Sequence, residues 1–208
     1  NGKHVDITVG QCLSHMAGLH TTAFEDLDNI FFSSNSTESL GQFRNEELHF
    51  EPGKDWSYSN FGFQVLGAII ENITGHSYSD VLDNFMHNKL KLSSGSMIER
   101  GNTLLHHHPR PKYYRQSPEG KIIPVGPFDD ALFSAGIWAA GGLLSTVDDL
   151  LLYGNHLVES YHGRPNSVIK AETLKTIWTG RSAKSPHFPP QFGKSTDYGY
   201  GFMCTHIS

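Results

Sequence analysis

Apolar residues recur at three- and four-residue steps over residues 61–74, which is the spacing of one face of an α-helix. The predicted helix runs from Phe61 to Thr74, and Gly75 is suited to end it because glycine tolerates left-handed backbone. The aliphatic side chains at those steps are expected to form the buried face, and they are Val65, Leu66, Ile69, Ile70 and Ile73.

Polar residues ahead of other apolar stretches predict where further helices begin. Thr8 and Gln11 have the spacing of a reciprocal capping box, which predicts a helix over residues 8–15, with Gly18 as the left-handed residue that ends it. Ser79 begins another predicted helix. Thr146 caps a later one, whose apolar face is expected to be Val147, Leu150, Leu151, Leu157 and Val158.

Strands are few in the sequence pattern. Residues 113–115 and 121–125 are expected to pair as a hairpin across a turn that contains Gly120. Residues 198–205 alternate large and small side chains, which predicts a single strand whose partners lie elsewhere. A last short helix is predicted over residues 171–178. Helices therefore dominate these 208 residues.

Composition and charge exclude several classes of function. Hydrophobic residues make up 38% and charged residues 18%, as in globular proteins, and no apolar stretch approaches the roughly 20 residues that cross a bilayer. A net charge of −5 argues against a nucleic-acid partner, since phosphate binding needs clustered Lys and Arg. Cys12 and Cys204 have no metal-type spacing, and the run His106-His107-His108 lacks the further ligands a metal needs. We expect no metal and no organic cofactor.

The segment 50–71 carries the candidate chemistry. Pro52-Gly53 predicts a turn, and Tyr58-Ser59-Asn60 follows at the mouth of the predicted helix. A phenol can carry a proton and a carboxamide can donate to a carbonyl, which are two needs of acyl transfer. Taken alone the triplet is weak, because a packed Tyr and an Asn that caps the helix would give the same sequence.

Residues around this triplet resemble the serine β-lactamase and penicillin-binding protein superfamily, in its class C and D-Ala-D-Ala peptidase branch. The segment 50–71 is similar to its second active-site motif, in which Phe-x-Pro-Gly leads into Tyr-Ser-Asn and Leu-Gly-x-Ile-Ile-Glu. Residues 7–19 and 140–150 resemble two further blocks of the superfamily, in the right order. The chain looks most similar to an animal mitochondrial branch.

The resemblance implies an α+β fold, a helical domain packed on an antiparallel sheet, of which this chain supplies mostly the helical part. It implies a serine hydrolase that works through an acyl-enzyme, with Tyr58 as the catalytic proton carrier and Asn60 in substrate binding. The nucleophilic Ser-x-x-Lys segment is expected upstream of Asn1, and the Lys/His-Thr-Gly strand downstream of Ser208. Residues 1–208 would then be an internal fragment, inactive alone.

Two alternatives stay open from the sequence. The expected ligand is a small peptide or acyl substrate, but a catalytically silent scaffold on the same fold, assembled as a homo-oligomer or filament, would carry the same motifs. The resemblance suggests a mitochondrial location, with secretion as the alternative.

Overall fold

The computed structural model describes residues 4–20, 33, 35–93, 97–98, 114–124, 138–182, 185, 188–189 and 196–205. Seven helices lie in these ranges: α1 (Val9–Leu13), α2 (Ser36–Ser39), α3 (Asn60–Thr74), α4 (Tyr78–Asn84), α5 (Trp138–Gly141), α6 (Val147–Tyr161) and α7 (Ala171–Ile177). A 3₁₀ turn (Leu40–Gln42) follows α2, and a π-helical turn (Phe85–Lys89) continues α4.

Six short strands form three separate antiparallel pairs in the described ranges. The strands are β1 (Met97–Ile98), β2 (Tyr114–Gln116), β3 (Ile122–Pro124), β4 (Leu143–Leu144), β5 (Thr196–Tyr198) and β6 (Met203–Thr205). Strand β1 pairs with β4, β2 with β3, and β5 with β6. The β2–β3 pair is the predicted hairpin, in the register Tyr114↔Pro124. Helices with small antiparallel sheets make the α+β class that the sequence predicts.

Local capping signals fixed several helix ends as predicted. The Thr8 hydroxyl accepts the Gln11 amide at 3.2 Å, and the Gln11 side chain accepts the Thr8 amide at 2.8 Å, so the capping box of α1 is complete. Helix α3 ends at Gly75, whose φ of 69° is left-handed. The Thr146 hydroxyl accepts the Asp149 amide and caps α6.

Helix α3 lies at the centre of the described fold, where it contacts α1, α2 and α5. Its most deeply buried side is not the predicted aliphatic one, of which Val65, Leu66, Ile69 and Ile70 are half-buried. The buried residues are Phe61, Gly62, Gln64, Gly67 and Ala68, whereas Ile73 is 77% exposed. Small residues explain this orientation, because a Cβ on Gly67 would lie 2.7 Å from the Cβ of Ala139 in α5. Close approach of the two helices therefore decides which face is buried.

The prediction that the apolar face of α6 is buried is also wrong. Val147, Leu150, Leu151 and Val158 are each more than half exposed, at 73%, 57%, 64% and 54%. The buried residue of the first turn is instead Asp149, whose carboxylate accepts the amide and the hydroxyl of Ser93 at 2.8 and 2.7 Å. A buried carboxylate with satisfied hydrogen bonds fixes the rotation of this helix end.

The final segment is a hairpin rather than the predicted single strand. Strands β5 and β6 pair in the register Thr196↔Thr205, across a turn in which Gly201 has a left-handed φ of 75°. The two glycines at 199 and 201 let the chain reverse within residues that otherwise alternate like a strand. The run His106-His107-His108 lies outside the described residues. None of the helices described is long and apolar enough to cross a membrane.

Candidate active site

Tyr58 presents its phenol to solvent at the point where the chain enters helix α3. Its side chain is 50% exposed and borders a cleft of about 390 Å³. The other residues lining the cleft are His49, Phe50, Asp55, Trp56 and Ser57. A molecule in this cleft can therefore reach the phenol, which is not enclosed among aliphatic side chains.

The sequence suggested that Asn60 caps α3, but in the structure Asn60 is the first residue of this helix. The capping position belongs to Ser59, which is only 3% exposed and whose hydroxyl donates to the carbonyl of His20 at 2.7 Å. The packed small residue of the triplet is thus Ser59. Tyr58 and Asn60 flank it at the same helix end, Tyr58 exposed and Asn60 half-buried.

The wall of the cleft beside Tyr58 is held by hydrogen bonds of Asp55. Its carboxylate accepts the hydroxyl of Ser185 and the amide of Trp56. The Trp56 ring is buried and packs edge-on against Phe188, with 5.0 Å between ring centroids. Residues far apart in sequence therefore meet to shape this side of the cleft.

His15 lies behind Tyr58 and was not singled out by the sequence reasoning. It is 2% exposed, and its ring centroid lies 4.4 Å from that of Tyr58. Its backbone is left-handed, with φ of 58°, so His15 and not Gly18 is the left-handed residue directly after α1. Gly18 also has a positive φ, but in the next turn, where a Cβ would collide with the Phe50 carbonyl. A non-glycine residue in this region is uncommon, and such residues cluster at functional sites.

Burial gives His15 and Tyr198 unusual proton affinities. Loss of solvent lowers the pKa of His15 from 6.5 to about 4, so its ring is neutral at neutral pH. Burial, together with the nearby phenol of Tyr58, raises the pKa of Tyr198 to about 12. His15 Nε2 and the Tyr198 hydroxyl lie 3.1 Å apart. The sequence signal for this pair was weak because the two residues are 183 positions apart.

A Ser-x-x-Lys sequence does occur in the chain, at Ser167–Lys170, which the sequence reasoning overlooked. The Ser167 hydroxyl donates to the Arg164 carbonyl at 2.6 Å. Lys170 is exposed, has an extended backbone and precedes helix α7. A serine and a lysine at this spacing cooperate on one face of a helix, and this pair lies in a loop. It therefore lacks the arrangement of an activated nucleophile.

Within the described parts of the chain, no three His, Cys, Asp or Glu residues come together as metal ligands would. The phenol of Tyr58 borders the cleft, while the Asn60 carboxamide stands at the same helix end and the neutral His15 ring lies buried behind the phenol. Comparison with known proteins identifies the family. The Beta-lactamase family profile matches residues 2–207. The chain belongs to the beta-lactamase family. The resemblance of its three blocks is confirmed at this level.

Proteins whose names place them in mitochondria of mammals are among the relatives of this chain. The proteins named serine beta-lactamase-like protein LACTB, mitochondrial, from Bos taurus and Homo sapiens are each 32% identical over 154 residues, or 70% of this chain. The chain spans about a quarter of the length of these curated relatives, 26% and 27% respectively. The animal branch that the sequence pointed to is therefore represented among its relatives.

Solved structures of a penicillin-binding protein homologue and of an amidohydrolase share the fold. The octameric penicillin-binding protein homologue from Pyrococcus abyssi superposes with a TM-score of 0.74 at 26% identity, covering 95% of this chain and 43% of that one. A D-stereospecific amidohydrolase from Streptomyces sp. gives a TM-score of 0.71 at 23% identity, with 97% and 58% covered. The chain thus shares the fold of these two proteins over most of its own length.

Proposed function

We propose that this chain is part of a serine hydrolase in which Tyr58 carries the proton and Asn60 binds the substrate. The observation that carries the proposal is the exposed phenol of Tyr58 beside a cleft, at the first turn of α3. The family and the sequence order around residues 50–71 support the same assignment. The substrate is proposed to be a small peptide or another acyl compound.

In the proposed reaction a serine hydroxyl attacks the carbonyl carbon of the substrate as Tyr58 takes up the hydroxyl proton. The proton then passes to the leaving group as its bond to the acyl carbon breaks, which leaves an ester on the serine. Water then attacks the ester carbonyl, Tyr58 passes a proton from the water to the serine oxygen as its bond to the acyl carbon breaks, and the acid is released. A phenol is a weak base near neutrality, so the proposal needs an ammonium close to Tyr58 to favour the phenolate.

The serine and this ammonium are assigned to a Ser-x-x-Lys segment outside these 208 residues, because Ser167 and Lys170 lie in a loop and not on one face of a helix. Residues 1–208 are accordingly proposed to be part of a longer beta-lactamase-related domain. The purified chain is expected to hydrolyse neither a chromogenic cephalosporin nor a p-nitrophenyl ester above a heat-treated sample. Hydrolysis that disappears in the Ser167→Ala variant would contradict this assignment and give the nucleophile to Ser167.

The decisive experiment uses the full-length protein and measures the acylation rate in a pre-steady-state burst. Tyr58→Phe is expected to slow acylation by at least about 100-fold, the usual value of lost general acid–base help. Tyr114→Phe is the matched control, since its phenol is 58% exposed on the separate β2–β3 hairpin. Equal acylation rates in the Tyr58→Phe variant and the control would remove Tyr58 from the mechanism.

Asn60 is tested separately because it is proposed to contact substrate. Asn60→Ala is expected to lower kcat/KM by roughly 10-fold, the equivalent of one lost hydrogen bond. Thermal stability should change little, because the capping position of α3 belongs to Ser59. Asn72→Ala, at an exposed position of the same helix, is the control and should leave kcat/KM unchanged.

The silent scaffold remains the second candidate, and one observation favours it. Helix α6 exposes apolar side chains at Val147, Leu150, Leu151 and Val158, which is a surface suited to burial. The Pyrococcus abyssi homologue is described as octameric. Sedimentation of the full-length protein decides whether it assembles. An assembly that persists while no acyl-enzyme forms on any ester or amide tested would favour the scaffold over the hydrolase.

A further inference from the structure

His15 makes polar contacts with both backbone neighbours of Tyr58. The amide of Ser57 donates to the His15 carbonyl at 3.0 Å, and the amide of Ser59 donates to His15 Nδ1 at 3.2 Å. The ring of His15 lies against the ring of Tyr58 between these two bonds, tilted by 41°. One buried residue therefore contacts the residue before Tyr58, the Tyr58 ring and the residue after it.

The hydrogen bond on Nδ1 fixes the tautomer of the His15 ring. A backbone amide only donates, so Nδ1 must be the unprotonated nitrogen and the single ring proton must lie on Nε2. Nε2–H then donates to the hydroxyl oxygen of Tyr198, 3.1 Å away. Protonation of Nδ1 would cost the bond to Ser59, and burial already holds the pKa of His15 at about 4.

Tyr198 is itself held from several directions at the end of β5. Its amide lies 2.9 Å from the Ser182 hydroxyl and 2.7 Å from the Asp197 carboxylate, and its carbonyl accepts the amide of Arg181. The ring of Tyr198 packs at 4.8 Å on the His15 ring. The position of His15 is thereby tied to a hairpin at the other end of the sequence.

We propose that His15 and Tyr198 are positioning residues that set the orientation of the Tyr58 phenol. This inference rests on the proposed function of Tyr58, and it assigns roles to two residues that the proposed reaction does not use. His15 fixes the backbone on both sides of Tyr58, and Tyr198 fixes the His15 ring through Nε2. The left-handed backbone of His15 aims its side chain and its carbonyl at the same segment.

Three variants test the proposal in the full-length protein. Tyr198→Phe removes only the hydroxyl that accepts from His15, and it is expected to slow acylation by roughly 10-fold, the rate equivalent of one hydrogen bond. KM should stay within about 2-fold, because no substrate contact is lost. Tyr200→Phe is the matched control, because the Tyr200 hydroxyl packs against α1 and not against His15. A Cβ on Gly10 of that helix would lie only 2.8 Å from this hydroxyl.

Two variants of His15 separate the effects of its hydrogen bonds with Ser59 and Tyr198. Asn in place of His15 tolerates left-handed backbone and places an acceptor near the Nδ1 position, so His15→Asn should keep the Ser59 bond and lose the Tyr198 bond. His15→Asn combined with Tyr198→Phe should be no slower than either single variant, because both remove the same contact. His15→Leu removes both contacts and should slow acylation further than His15→Asn does.

Two results would overturn the inference while leaving the role of Tyr58 intact. The first is a Tyr198→Phe variant that acylates as fast as Tyr200→Phe while Tyr58→Phe remains slow. The second is a long-range ¹H–¹⁵N spectrum of the unaltered protein that places the His15 proton on Nδ1, a measurement that needs no variant to fold. A fast Tyr58→Phe variant would instead overturn the proposed function itself. Slow Tyr198→Phe acylation with unchanged thermal midpoint and an Nε2 proton supports the pair.

Discussion

The carboxylate of Glu71 accepts the backbone amide of Tyr78 at 3.1 Å, across the turn that joins α3 to α4. The same carboxylate accepts the amides of Ser36 and Thr37 at 3.0 and 2.9 Å, at the first turn of α2. Partial burial alone would raise the pKa of Glu71, but these bonds and one from the Thr37 hydroxyl together lower it. One side chain therefore joins the ends of three helices.

Glu71→Gln is expected to lower the free energy of unfolding by about 1–3 kcal/mol. The amide of Gln can accept at one end only, so at least one of the helix N–H groups loses its partner. Urea denaturation at neutral pH measures the change. Glu159→Gln on the exposed side of α6 is the control and should shift the midpoint hardly at all. Equal midpoints for the two variants would contradict the joining role of Glu71.

Gly67 and Gly154 predict opposite effects of the same substitution. A Cβ on Gly67 would lie 2.7 Å from Ala139 Cβ and 2.8 Å from Ser36 Oγ, whereas one on Gly154 would have no neighbour within 4 Å. Gly67→Ala is therefore expected to destabilise the protein by about 1–3 kcal/mol. Gly154→Ala should stabilise α6 by about 0.5–1 kcal/mol, since alanine favours a helix interior. Thermal melts of both variants check the signs. A Gly67→Ala variant that melts no lower than the unaltered protein would refute the close packing of α3 on α5.

Several local features were readable from the sequence because they depend on neighbouring residues alone. The capping box of Thr8, the stop at Gly75 and the cap at Thr146 each need only a few adjacent positions. The packing of α3 and α6 was not readable in this way. Large aliphatic residues gave the clearest periodicity, but close contacts of Gly67 and a buried carboxylate at Asp149 decided the rotation of these helices.

The candidate site was predictable in part for the same reason. Tyr58 and Asn60 stand in one motif, so the sequence could single them out. Gly18 was expected to be the left-handed residue directly after α1, but His15 takes this role, and its partner Tyr198 lies 183 positions away. A contact between residues so far apart in sequence leaves no local periodicity, and only the folded chain brings the two residues together.

Gln64 suggests a stabilising substitution in the core. Its side chain is 1% exposed on α3, and neither of its polar atoms has a hydrogen-bond partner among the residues that the structure describes. Gln64→Met keeps a similar volume and removes both unpaired atoms, so it is expected to raise the free energy of unfolding by about 1 kcal/mol. Gln11→Met is the control and should lower the free energy of unfolding, because the Gln11 side chain accepts the Thr8 amide. A loss of stability in Gln64→Met, seen by urea denaturation, would show that the carboxamide has a partner.

His15 predicts how stability depends on pH. Burial lowers its pKa from 6.5 to about 4 in the folded chain, so between these values the unfolded chain binds more protons than the folded one. The contribution of His15 is therefore complete above pH 6.5, falls as the pH drops towards 4, and levels off below that value. Between pH 7 and pH 5 the loss is expected to be about 2 kcal/mol, at 1.36 kcal/mol per pKa unit.

Urea denaturation at pH 7 and pH 5 measures this loss, and His15→Asn isolates its source. Asn does not titrate, so the variant should be less stable at pH 7 but lose about 2 kcal/mol less than the unaltered protein between the two pH values. His4→Asn serves as the control, because His4 lies at the exposed start of the described chain and its replacement should leave the pH dependence as it was. A His15→Asn variant with the full pH dependence would mean that folding leaves the pKa of His15 unchanged, so that the ring is protonated in the folded chain below about pH 6.5. The Nδ1 acceptor, and with it the hydrogen bond from Ser59, would then be lost over that range of pH.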